Sequence, residues 1–150
     1  MKSILFVCLG NICRSPIAEG VALDFVSKNN LDIVVDSCGT GDYHKGETPC
    51  PNSIKVALQN GIDIAGHKAR AITQGDFKQF DLIVALDDSN ISNLLKMGCP
   101  KEKLHKLGSF GYENQDVPDP YFFNGFEGFE KVFLMIETCV HNLIEEKRKI

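Results

Sequence analysis

Cys8 and Arg14 stand with five residues between them in Cys8-Leu9-Gly10-Asn11-Ile12-Cys13-Arg14-Ser15. A thiol and a guanidinium at that spacing can act together on one small tetrahedral anion. The intervening backbone is long enough to curl round such a group with its N–H groups turned inward, as in an anion nest. Gly10 and Asn11 are the residue types that best tolerate the left-handed conformations a tight curl needs. Arg14 can close the ring with a bidentate grip on two oxygens. With no anion present, the same donors face the Cys8 sulfur, and together with a helix N-terminus they favour a thiolate nucleophile. Ser15 offers that sulfur a further hydrogen bond. A reaction that expels an oxygen leaving group also needs an acid. Asp116-Val117-Pro118-Asp119-Pro120-Tyr121 supplies two carboxylates stiffened by two prolines, and spacing alone does not choose between Asp116 and Asp119.

These residues need elements to position them. Ser3 to Val7 is an unbroken apolar run of strand formers, as in a strand buried on both faces, and it delivers the chain directly to Cys8. Ser15-Pro16 opens a predicted helix to Lys28 with an apolar stripe at Ile17, Val21, Phe25 and Val26. Leu31–Ser37 reads as a second strand, Asp42–Pro51 as a loop, and Asn52–Asn60 as a helix stopped by Gly61. Asp81–Leu86 reads as a third strand, Asp88–Met97 as a helix closed by Gly98, and Lys103–Leu107 as a short fourth strand. A long loop from Gly108 to Gly125 precedes a final helix over Gly128–Lys147, with Val132, Phe133, Ile136, Val140 and Leu143 inward. Strands alternating with helices predict an α/β fold with right-handed crossovers and a parallel sheet covered on both faces. Ligands bind such sheets beyond the carboxyl ends of the strands, which is where the Cys8–Ser15 turn falls.

Composition narrows the class. The chain has 150 residues, a formal net charge of −4 and 43% hydrophobic residues, which suits one domain over residues 1–150. An acidic balance speaks against a nucleic-acid binder. No apolar run approaches the roughly 20 residues of a membrane span, and the N-terminal run is too short for a signal peptide. Lys147-Arg148-Lys149 reads as a solvated helix end. Six cysteines and four histidines show neither a disulfide framework nor zinc-ligand spacing. Reduced thiols, no metal, no cofactor and a cytoplasmic monomer are the expectation.

Val7-Cys8-Leu9-Gly10-Asn11-Ile12-Cys13-Arg14-Ser15-Pro16 resembles the phosphate loop of low-molecular-weight protein tyrosine phosphatases. Asp36-Ser37, Gly66-His67-Lys68-Ala69-Arg70 and Asp119-Pro120-Tyr121 fall in that family's order, so the resemblance spans essentially the whole chain. It implies a three-layer sandwich around a four-stranded parallel sheet of order 2-1-3-4, no metal, and a phosphocysteine intermediate formed on phosphotyrosine proteins. Residues Leu9 to Ser15 would bind phosphate and Asp119 would be the acid. Asn11, Ser37 and His67 would brace the loop from behind, and Asp87 would sit near Arg14, although it reads equally as a helix N-cap. Tyr43 and Tyr121 would wall a cleft for a phenyl ring. Cys13 would pair with Cys8 on oxidation, protecting it. At Phe122 the chain lacks a second tyrosine common in the family, which counts against regulation by phosphorylation at that position but not against catalysis. Thioredoxin-coupled arsenate reductases share the Cys-x5-Arg loop but need a cysteine relay after the third strand, where Asp87 to Asn93 has none. A non-catalytic phosphate-binding module is the third reading; the presence of both Cys8 and Asp119 argues against it. Phosphotyrosine, phosphoarginine and small esters all fit a shallow cradle, and a link to polysaccharide export stays open.

Overall fold

The computed structural model describes residues 1–123 and 125–148, apart from the side chain of Phe122. The readings made at Phe122 and Lys149 therefore fall outside the described residues. Four parallel strands form one sheet: β1 (Ser3–Cys8), β2 (Val34–Gly39), β3 (Leu82–Ala85) and β4 (Leu104–Lys106), in the order β2-β1-β3-β4. Among the described residues five helices accompany them: α1 (Arg14–Lys28), α2 (Pro51–Gln59), α3 (Gln74–Gln79), α4 (Asp88–Lys96) and α5 (Glu127–Lys147). Two short 3-10 turns, Leu107–Ser109 and Pro120–Phe122, interrupt the stretch expected to be an irregular loop, the first of them beginning at Leu107, which was expected to end the fourth strand.

Strand alternation splits the core into two layers. Ile4, Phe6 and Cys8 of β1 and Val84 of β3 face a large apolar cluster with α1, α2 and α5. Leu5, Val7, Ile83 and Ala85 face the other way, onto Phe77 of α3 and Leu94 of α4. β1 is central, and all six of its residues are buried, which is why it reads as a continuous apolar run. Along α5, Phe129, Val132, Phe133, Ile136, Val140 and Leu143 repeat at three- and four-residue intervals and are all buried.

Two elements differ from expectation. β2 begins at Val34 rather than Leu31, because the Leu31 N–H still closes α1 by donating to the Val26 carbonyl, and the ladder starts with Val34 N–H donating to Lys2. Leu31 and Ile33 pack partly buried on the core without pairing, so their apolar character reports packing, not strand. Helix α3 is a second difference. It is held by a capping box in which Thr73 and Asp76 bond reciprocally. No helix among the described residues is long and apolar enough to cross a membrane.

Candidate active site

All four strands end on the same edge of the sheet, and the turns leaving that edge supply the site. The turn after β1 is fixed from outside. The carbonyls of Cys8, Leu9 and Ile12 accept N–H bonds from Thr40, Gly41 and Cys50, at 2.9, 3.0 and 2.8 Å. The Cys13 carbonyl accepts from Ser53 Oγ at 3.1 Å. A trans peptide places each N–H opposite its carbonyl, so the following N–H groups, of Leu9, Gly10, Cys13 and Arg14, point to the inner side of the turn. None of the N–H groups of Leu9, Gly10, Ile12 and Cys13 meets a protein acceptor among the described residues. These inward donors, with the first turn of the 15-residue helix α1 behind them, have the arrangement that an anion cradle requires.

Asn11 takes φ of 59°, the left-handed geometry expected of it. Gly10 does not have positive φ; a Cβ there would lie 2.9 Å from His44 Cδ2, so glycine at this position admits the imidazole. Gly39, at the end of β2, has a related role: a Cβ would come within 2.6 Å of the Leu9 carbonyl oxygen.

The Cys8 sulfur is buried and lies 3.0 Å from Ser15 Oγ, while Asn11 N–H donates to it at 3.3 Å. Ser15 Oγ itself accepts from Asn11 Nδ2 at 2.8 Å, which directs the serine hydrogen to the sulfur. Asn11 also donates to Ser37 Oγ at 3.0 Å, and its Oδ1 accepts from His67 Nε2 at 3.0 Å and Arg70 N–H at 3.1 Å. Ser37 donates on to Glu19 Oε1 at 2.5 Å, and His67 Nδ1 is 3.5 Å from the same oxygen. Burial raises the Glu19 carboxyl above its ordinary value, against the lowering pull of the Ser37 bond and the His67 charge. Asn11, Ser15, Ser37 and His67 thus meet as expected. Glu19 and Arg70 were not anticipated: Glu19 reads in sequence as one polar residue of a helix, and only the fold carries it to Ser37.

Arg14 is buried at the first position of α1. Its Nη1 donates to Asp87 Oδ2 at 2.6 Å and to the Val117 carbonyl at 2.9 Å. The guanidinium is thereby anchored along one side, leaving Nε and Nη2 for a ligand. Asp87 serves both roles read from the sequence, since its other oxygen accepts from Asn90 N–H at 2.8 Å and caps α4. Its charge offsets the unfavourable meeting of Arg14 with a helix N-terminus.

The Cys8 sulfur sits in a cavity of about 220 Å³ also lined by Arg14, Tyr43, Asp119 and Tyr121. Leu9, Gly10, Ile12 and Cys13 complete the loop side, and His44 enters from the 40–50 segment. Tyr43 and Tyr121 are exposed at the rim. His44, whose Nδ1 is 2.9 Å from Glu47 Oε2, carried no signal in the sequence. Asp119 lines the cavity and Asp116 does not. The Asp116 carboxylate is committed instead to Lys106 at 2.7 Å and to Asp88 N–H at 3.0 Å, and its bond to Lys106 holds it below the ordinary carboxylate value.

The thiols require a correction. Cys13 is not left free for Cys8: it is disulfide-bonded to Cys50, across a sequence separation of 37, and Cys8 is free. Two cysteines that far apart give no pairing signal. They meet because the N-terminus of α2 docks on the loop through the Cys50 N–H to Ile12 carbonyl bond. Burial pushes up the thiols of Cys38, Cys99 and Cys139, the last to about 11.

The description "Low molecular weight phosphotyrosine protein phosphatase" belongs to a family model that matches residues 3–149. A pig protein of that name is 40% identical, over 98% of this chain and 96% of its own. The crystal structure of a protein tyrosine phosphatase from Entamoeba histolytica superposes with a TM-score of 0.90 at 36% identity, covering both chains fully. That of DARP, a Drosophila arginine phosphatase, superposes with a TM-score of 0.88 at 36% identity over 97% of each chain. Agreement of this kind along the full length, in sequence and in fold, places the chain in the low molecular weight phosphotyrosine protein phosphatase family.

Proposed function

We propose that the chain hydrolyses phosphotyrosine on proteins, with Cys8 as nucleophile and Asp119 as general acid and base. The observation that carries this is the free Cys8 sulfur, held by Ser15 and Asn11 in a cavity that Arg14 and Asp119 also line. The sulfur attacks phosphorus from within the ring of amides while the Arg14 guanidinium grips the equatorial oxygens. The bond from phosphorus to the phenolic oxygen breaks as Asp119 hands that oxygen its proton. The phosphoryl group is then on sulfur. In the second step the Asp119 carboxylate takes a proton from water, the water oxygen bonds to phosphorus, and the sulfur leaves as thiolate. The Ser15 hydroxyl stabilises that leaving sulfur. Tyr43 and Tyr121, standing up at the rim, make a slot deep enough for a phenyl ring and too deep for phosphoserine.

The arsenate-reductase reading loses its relay. Cys99 lies in the core layer on the α3–α4 side, whereas Cys50 and Cys139 lie on the opposite side of the sheet.

The test is hydrolysis of para-nitrophenyl phosphate and of phosphotyrosine, phosphoserine and phosphoarginine peptides. Wild type should prefer phosphotyrosine, Cys8→Ser should be inactive, and Asp119→Ala should slow poor leaving groups by roughly 10²–10⁴-fold. Activity surviving in Cys8→Ser would overturn the mechanism; preference for phosphoarginine would overturn the substrate.

A further inference from the structure

Among the described residues, the Asp119 side chain makes one hydrogen bond, accepting the Tyr121 N–H at 3.0 Å. Its place in the cavity is therefore set by the strap of residues just before it. Val117 is fully buried, its N–H donating to the Leu86 carbonyl at 2.8 Å and its carbonyl accepting from Arg14. One residue earlier, Asp116 Oδ1 accepts from Lys106 Nζ at 2.7 Å and from Asp88 N–H at 3.0 Å. Lys106 ends β4 with its side chain only 9% exposed, and its ammonium also reaches Asp88 Oδ1 at 2.9 Å.

Burial works against the charge on Lys106, and the two carboxylates outweigh it, so the ammonium stays protonated. The carboxylate ends are half to three-quarters exposed, at 51% and 74%. Pairs so open to water add little stability. What the arrangement does supply is geometry: a rigid strand end, a buried cation and the first N–H of α4 all converge on one oxygen three residues before Asp119.

We propose that Lys106 is a positioning residue for the reaction. Its ammonium, held between Asp116 and Asp88, fixes the strap so that the Asp119 carboxyl meets the leaving oxygen. The inference rests on the assignment of Asp119 as acid. A displaced acid has a signature that a loosened fold lacks, because it matters most where the leaving oxygen is most basic. The measurement is kcat/KM, which reports cleavage of the substrate bond, over a series of aryl phosphates from para-nitrophenyl to phenyl.

In Lys106→Met, phenyl phosphate cleavage should fall about ten- to a hundredfold while para-nitrophenyl phosphate stays within about threefold. Lys106→Arg should restore the wild-type slope, since a guanidinium reaches the same two carboxylates. Asp116→Asn should steepen the slope as Lys106→Met does, and it carries the test if the methionine variant does not fold. Equal slowing across the series, or no change, would overturn the proposal. If Asp119→Ala leaves the slope unaltered in otherwise wild-type protein, the assignment of the acid fails instead, and the two failures are told apart.

Discussion

Asn11 is the residue on which the loop turns. It is fully buried, sits at φ of 59°, and uses both amide hydrogens and both acceptor positions of its side chain. Alanine there would meet the left-handed cost of about 1–2 kcal/mol and leave buried partners unpaired at about 1–3 kcal/mol. Asn11→Ala should therefore lower unfolding free energy by about 2–5 kcal/mol in urea titrations. Asn11→Gly should recover only the conformational part. Both should slow turnover, because Ser15 loses the bond that aims its hydroxyl at sulfur. The type and place of Asn11 were legible in the sequence, but its partner Glu19 was not. A glutamate on a helix reads as solvated until the sheet brings Ser37 against it.

At the scale of elements, helix α3 shows where periodicity stops being informative. Its six residues make fewer than two turns, and Phe77 is its single buried apolar residue, too little for a stripe. The signal present was chemical: Thr73 followed three residues later by Asp76. Thr73→Ala should cost about 1 kcal/mol, read from the urea midpoint. Asp76 also accepts both guanidinium nitrogens of Arg70, at 3.0 and 3.1 Å, while Arg70 reaches Asp36 of β2 at 3.0 Å. Burial pulls the Asp76 carboxyl upward, but the Arg70 and Thr73 bonds prevail and leave it below the ordinary value of 3.8. A depressed carboxyl adds stability that is complete above that ordinary value and is lost as pH falls through the folded one. Unfolding free energy should thus decline below about pH 4, and Asp76→Asn should flatten that decline. The strands were easier to read. β1 and β3 are buried on both faces and so are apolar at every position after Ser3, whereas β2 was misjudged at its start because Leu31 and Ile33 pack partly buried on the core without being paired.

At the scale of the molecule, one edge of the sheet gathers the Cys8 loop after β1, Tyr43 after β2, Asp87 with its bond to Arg14 after β3, and the strap carrying Asp119 after β4, the groups to which the proposed mechanism gives its roles. The alternation of strands and helices pointed to the carboxyl ends of a parallel sheet, while the order of the strands came only from the family resemblance. The Cys13–Cys50 bond was not legible, since chain separation is silent about which turns share an edge. It ties the cradle to α2 and closes a long loop, so Cys50→Ser should lower stability by about 2–4 kcal/mol under non-reducing conditions and by little under dithiothreitol. The bond also decides what becomes of an oxidised active site. Peroxide first converts Cys8 to a sulfenic acid, which a neighbouring thiol can capture before further oxygen is added. While Cys13 is bonded to Cys50 it cannot be that thiol, and oxidation of Cys8 is then expected to run on to the sulfinic stage. Order of addition should then govern rescue. Protein reduced before exposure should regain its turnover afterwards, and protein exposed first should not.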